Sequence, residues 1–121
     1  MDSETNIQEL KDNIKKFCED RNWDQYHNPK DLSIGIITEA SELLEHFRFK
    51  SEEEAKAFFD NELKKNEISE ELADILFFLL RLAQKYEIDL STSFYKKLEK
   101  NEKNYPADKS MGSNKKYTEL R

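Results

Sequence analysis

Four acidic residues fall into two pairs of equal spacing, Glu39 with Glu42 and Glu71 with Asp74. A three-residue step puts both members of a pair on one helix face, with Cβ atoms about 5 to 6 Å apart. Either pair alone reads as ordinary solvated surface. Asp74 differs in its setting, because every neighbour in Leu72-Ala73-Asp74-Ile75-Leu76-Phe77-Phe78 is apolar. Its carboxylate is therefore expected to point into a helical bundle that holds little water. An ionised group there needs a basic partner, a raised pKa or a cation, since leaving it unpaired costs on the order of several kcal/mol. Arg81 is two turns away, and Lys64 and Lys65 are expected to precede the helix, so neither source of charge answers it.

Glu39 and Glu42 are likewise embedded in an apolar face, and the economical arrangement aims both pairs at one another around a hard divalent cation. An all-oxygen ligand set favours magnesium, with manganese as its substitute, over zinc. Di-iron bundles place Glu-x-x-His on their helices. Here Glu45 stands three residues after Glu42, His46 stands four after it, and the other histidine, His27, falls in a loop. Redox iron is thus disfavoured, and a hydrolytic site remains in which the ion binds phosphates and acidifies water. Without metal, four clustered carboxylates repel one another, which predicts raised pKa values and a looser protein.

Helices must carry these residues. The chain has 121 residues, enough for one domain, with only 2 Gly and 2 Pro and a charged fraction of 38%, which points to an all-α fold, a bundle of four to five helices. Ile7, Leu10, Ile14 and Phe17 recur at helical spacing and mark a first helix ending near Arg21. A loop with Trp23, Tyr26 and His27 follows, and Asn28-Pro29 reads as the cap and first residue of a second helix that runs to Phe47. Ser51 and Glu54 form a capping box for a short helix burying Ala55, Phe58, Phe59 and Leu63. Asn61 to Asn66 looks irregular. A long helix, apolar all round in its middle, is predicted from Ile68 to Tyr86 at the centre of the bundle. Asp89 or Ser91 caps the last helix, whose Leu90, Phe94, Leu98 and Tyr105 face the core before Pro106 ends it. Residues 1–106 are expected to form the domain and 107–121 a polar C-terminal tail, mobile unless Tyr117 docks it.

Composition excludes several roles. A net charge of -6 without a basic stripe argues against binding a nucleic-acid polymer. The lone Cys18 excludes an internal disulfide, and no leader pattern opens the chain, so a cytoplasmic location is expected. Leu72 to Ala83 is too short for a membrane span and carries Asp74 and Arg81.

The same residues carry a resemblance. Arg21-Asn22-Trp23-Asp24-Gln25-Tyr26-His27, Glu39-Ala40-Ser41-Glu42-Leu43, Glu70-Glu71-Leu72-Ala73-Asp74-Ile75-Leu76, Asn101 to Pro106 and Lys116-Tyr117-Thr118-Glu119-Leu120 occur in order over almost the whole chain. The sequence resembles the MazG-like nucleoside triphosphate pyrophosphohydrolases, and more narrowly their dCTP pyrophosphatase branch. The resemblance implies hydrolysis between the α and β phosphates of a nucleoside triphosphate, most readily dCTP or a modified dCTP, in sanitation of the nucleotide pool. It implies that Glu39, Glu42, Glu71 and Asp74 bind magnesium, with Glu39 orienting the attacking water and Glu42 beside it. It also implies that Lys97 and Asn101 reach the triphosphate, and that Trp23, Phe49 and Phe78 form an aromatic cage for the base, closed by His27. Ile14 stands for a histidine of that branch, Phe49 for a tryptophan and Phe78 for a tyrosine. Losing two polar groups weakens discrimination among bases, which comes mainly from buried hydrogen-bonding groups. A homodimer or homotetramer with shared helices is implied as well, and would account for a hydrophobic content of 36%. Two other readings remain: the same fold acting on another phosphoanhydride, such as dUTP or a phosphoribosyl-linked intermediate, and a non-enzymatic acidic helical interaction module.

Overall fold

A computed structural model describes residues 1–120 as α-helices and short turns, with no strand among the described residues. The helices are α1 (Ile7–Asp20), α2 (Pro29–Phe47), α3 (Glu52–Ala57), α4 (Glu62–Lys85), α5 (Leu90–Asn104) and α6 (Ala107–Ser110). The expected all-α class is what the chain adopts. Met1–Glu87 forms one compact unit, and a second begins at Ile88.

Each start has a local chemical cause. The Asn6 side chain accepts from the Glu9 amide at 2.9 Å, and Asn28 accepts from the Asp31 amide at 2.8 Å with Pro29 as the first helical residue. Ser51 and Glu54 close the capping box that opens α3. The end of α1 is equally determined. Asn22 takes a left-handed conformation (φ 55°), which lets the Trp23 amide reach Cys18 O and the Asn22 amide reach Glu19 O. This Schellman closure turns Trp23 back onto Phe17, where the rings meet edge to face at 5.5 Å.

In three places the fold departs from the pattern read in the sequence. The α4 helix begins at Glu62, so Asn61 to Asn66 is not irregular: the Asn61 side chain caps the Lys64 amide at 2.9 Å and the polar first turns follow. Those turns carry no apolar stripe, which is why periodicity alone missed them. On the short helix, Phe58 and Phe59 pack against Phe47 with ring centroids 6.0 and 6.2 Å away, yet Phe59 stays half exposed and Leu63 is 77% exposed. On α5, capped by Asp89 as expected, Phe94 is 62% exposed and Leu98 is also largely open. After α6, a turn at Tyr117–Glu119 sets the Tyr117 ring edge to face against Tyr105 at 5.9 Å.

Within the first unit α4 packs on both α1 and α2. Leu32, Ile68, Leu80, Ala83 and Cys18 form the fully buried core, and each large aliphatic chain among them contributes about 1.5 to 3 kcal/mol. At Gly35, α2 and α4 are in tight contact. A Cβ there would lie 2.6 Å from Phe78 Cδ1, so the missing side chain lets the Phe78 ring lie flat on α2. The other flank of α4 is uncovered: Leu72, Leu76 and Leu79 remain open to solvent. Beside them runs an apolar groove of about 360 Å³ between α1 and α4, lined by Leu10, Ile14, Phe17, Leu76, Phe77 and Leu80. No helix among the described residues is long and apolar enough to cross a membrane.

Candidate metal and nucleotide site

Glu39 and Glu42 project from α2 and Glu71 from α4, and each offers a carboxylate oxygen within 4.8 Å of the others. Glu39 and Glu71 are half-buried, and Glu42 is exposed. One oxygen of each half-buried acid, Glu39 Oε2 and Glu71 Oε2, is buried without a hydrogen-bond partner. Partial burial pushes the Glu39 carboxyl up to about 7, helped by a hydrogen bond with Glu42 and by the charges of Glu42, Asp74 and Glu71. Carboxylates that crowd in this way and leave buried lone pairs unused are suited to a divalent cation, which supplies the positive charge and the missing partners together.

Asp74 stands differently from its expected place. It is exposed rather than buried: on the helix it faces away from the Leu72, Leu76 and Leu79 stripe, and its apolar neighbours in sequence point in other directions and do not enclose it. It stands outside the group of three, and it reaches that group through its charge on Glu39. The argument that burial forces a partner belongs to Glu39 and Glu71 instead.

Lys64 also differs from expectation, since it lies inside α4. Its Nζ is 2.9 Å from His46 Nδ1, and His46 Nε2 is 3.4 Å from Glu71 Oε1. Sequence reading missed this link, although Lys64, Glu67 and Glu71 at steps of three and four would have shown it once α4 was started at the Asn61 cap.

The loop before α2 is held by two cations of α4. Arg81 is 1% exposed, and its Nε donates to His27 Nδ1 at 2.9 Å while Nη2 pairs with Asp24 Oδ1 at 3.1 Å. Lys85 Nζ donates to the carbonyls of Asp24 and His27 and lies 3.1 Å from Asp24 Oδ1. The Lys85 hydrogen bond holds Asp24 below the usual carboxylate range. Burial lowers the His27 pKa, and the charges of Arg81 and Lys85 add to that. His27 is therefore neutral, with Nδ1 committed to Arg81 and the Nε2 hydrogen left to offer. No pattern of spacing announced Arg81 as a loop anchor.

Of the four proposed cage members, Trp23 and His27 meet directly, and Phe78 is linked to them through Phe17 and Phe77. Trp23 meets His27 at 6.2 Å and Phe17 at 5.5 Å, Phe17 meets Phe77 at 5.8 Å, and Phe77 meets Phe78 at 5.4 Å. Phe49 belongs to no such run. It is 90% exposed in a left-handed conformation (φ 63°), with the Arg48 guanidinium 4.7 Å from its ring centre. Lys97 and Asn101 lie one turn apart on α5, in the second unit, with Lys97 exposed and Asn101 half-buried.

The MazG-like family model matches residues 34–120. The bovine dCTP pyrophosphatase 1 is 33% identical over 118 residues, covering 98% of this chain and 70% of that protein. The human dCTP pyrophosphatase 1 is 31% identical over 117 residues, covering 97% and 69%. Among solved structures, a pyrophosphatase from Archaeoglobus fulgidus DSM 4304 superposes with a TM-score of 0.77 at 39% identity, over 83% of this chain and 92% of that one. The chain belongs to the MazG-like family, near its dCTP pyrophosphatase branch.

Proposed function

We propose that this chain hydrolyses a nucleoside triphosphate between its α and β phosphates, yielding the monophosphate and pyrophosphate, with Glu39, Glu42, Glu71 and Asp74 holding magnesium. The observation that carries this reading is the pair of buried, unpartnered oxygens on Glu39 and Glu71, set on packed helices of a MazG-like chain. The donor set is all oxygen and suits magnesium or manganese. When bound, such a cation neutralises phosphate charge and lowers the pKa of a water.

The protein's own groups have separable tasks. Glu39 Oε2, free of protein partners, orients the attacking water. Glu42 stands beside Glu39, with a carboxylate oxygen in reach of the same cation. Trp23 and Phe49 offer ring faces for stacking, which grips a base without naming it. Phe49 is held exposed and left-handed with only the Arg48 guanidinium against its ring, a backbone cost of the kind found at residues kept for a ligand. Phe78 supports this wall from its seat on Gly35, and His27 offers its Nε2 hydrogen. Lys97 and Asn101 supply a cation and an amide for the triphosphate. The first substrate to consider is dCTP or a modified dCTP, as in the relatives' names, with a role in sanitation of the nucleotide pool.

The test is a panel of ribo- and deoxynucleoside triphosphates, normal and modified, incubated with and without magnesium. Equal release of monophosphate and pyrophosphate, dependent on the cation and fastest for a cytosine deoxynucleotide, is expected. Faster turnover of dUTP or of a phosphoribosyl-linked compound would reassign the substrate. Orthophosphate as the first product would overturn the reaction, and no turnover of any compound together with no metal effect on melting would return the chain to an interaction module.

A further inference from the structure

The acidic cluster is tied to two residues that the proposed chemistry leaves unused. Lys64 Nζ lies 2.9 Å from His46 Nδ1, and His46 Nε2 lies 3.4 Å from Glu71 Oε1. An ammonium only donates, so Nδ1 must be the bare acceptor and the ring hydrogen must sit on Nε2, facing Glu71. Lys64 is itself fixed from two sides, by Glu67 at 3.6 Å and by the Phe58 ring with its centre 5.0 Å away. The side chains of His46 and Glu71 are only 15% and 19% exposed, so water competes weakly for the contact. Glu71 thus has one oxygen held by the imidazole and the other, Oε2, buried and unpartnered. His46 does not fit the role of a metal ligand, because both of its nitrogens are engaged.

We propose that His46 is a positioning residue for the metal site, holding Glu71 Oε1 through its Nε2 hydrogen so that Oε2 is presented to the cation, and that Lys64 sets the tautomer that makes this possible. The inference rests on the proposed role of Glu71 in binding metal. A hydrogen bond to a ligating carboxylate fixes its orientation before the ion arrives, and loss of such a partner typically lowers metal affinity on the order of 10- to 100-fold.

The tautomer is read first, by nitrogen-15 NMR of the metal-free full-length chain. The Nε2-protonated form of His46 is expected, and the Nδ1-protonated form would overturn the proposal. Binding is then read by calorimetric titration with Mn²⁺ for the wild type, Glu71→Gln, His46→Leu, His46→Gln and Lys64→Met. His46→Leu is expected to weaken Mn²⁺ binding roughly 10-fold or more. His46→Gln should recover most of it, since its amide oxygen can accept from Lys64 while its nitrogen donates to Glu71. Lys64→Met should fall between. If Glu71→Gln weakens binding while His46→Leu leaves it unchanged, the positioning role is refuted and the metal site stands. If Glu71→Gln has no effect, or the wild type binds no Mn²⁺, the metal reading itself fails and takes this inference with it. Should His46→Leu not fold, the tautomer and the comparison of His46→Gln with Lys64→Met still decide.

Discussion

Glu39 concentrates the electrostatics of the site. Its carboxyl is raised from the usual 4.5 to about 7 in the metal-free protein, so folding favours the protonated form. Stability contributed by that proton is fully present below pH 4.5 and is lost as the pH rises through about 7. A cation must displace the proton. Mn²⁺ affinity should therefore climb with pH until about 7 and then level, with a proton released on binding. Calorimetry in buffers of different ionisation enthalpy measures that release, and a binding constant independent of pH in this range would remove Glu39 from the metal. Glu39→Gln should abolish turnover while raising the melting temperature of the metal-free protein at pH 8, because it deletes one of the repelling charges. A variant that keeps wild-type turnover would contradict its assignment.

Helix α4 does more than its apolar middle suggested. It carries Glu71 for the acidic cluster and Asp74, whose charge acts on it, Lys64 for the link to His46, and Arg81 with Lys85 for the loop that holds Trp23. Replacing Arg81 by Met should lower stability by about 1 to 3 kcal/mol, read by denaturant melts, because the half-buried His27 nitrogen loses its donor. Gly35→Ala tests packing against propensity. Alanine favours a helix by about 1 kcal/mol over glycine, yet its methyl would enter the Phe78 ring, so a lower melting temperature is expected and a higher one would show that the ring moves freely. The helices themselves were legible, because Asn28-Pro29, Ser51 with Glu54 and Asp89 are local signals with local causes. Spacing set Glu39 and Glu42 on one helix face, and the structure brings Glu71 within reach of both. What escaped was set by contacts between distant segments: the exposure of Asp74, the bridge from Lys64 through His46, and the burial of Arg81. Such features depend on which flank of a helix is covered, and an apolar run does not say which neighbour covers it.

At the scale of the molecule, the uncovered flank of α4 and the groove beside it leave Leu72, Leu76 and Leu79 in water. Contiguous apolar surface of this kind marks a site of association, and a second copy of the chain is the occupant we propose. Sedimentation over a wide range of protein concentration should show a dimer or tetramer, and a monomer at all concentrations would refute it. Activity measured on serial dilution should then fall faster than in proportion to protein.

The turn that closes α1 has an optical consequence. Trp23 is the one tryptophan in the chain, and its indole meets the Phe17 ring and the His27 ring, each edge to face. Its emission therefore reports a single place, the loop gripped by Arg81 and Lys85. A nucleotide stacking there should dim or shift that light without any label, and a fluorescence titration would then follow the loop's occupancy whether or not the bound compound is ever cleaved.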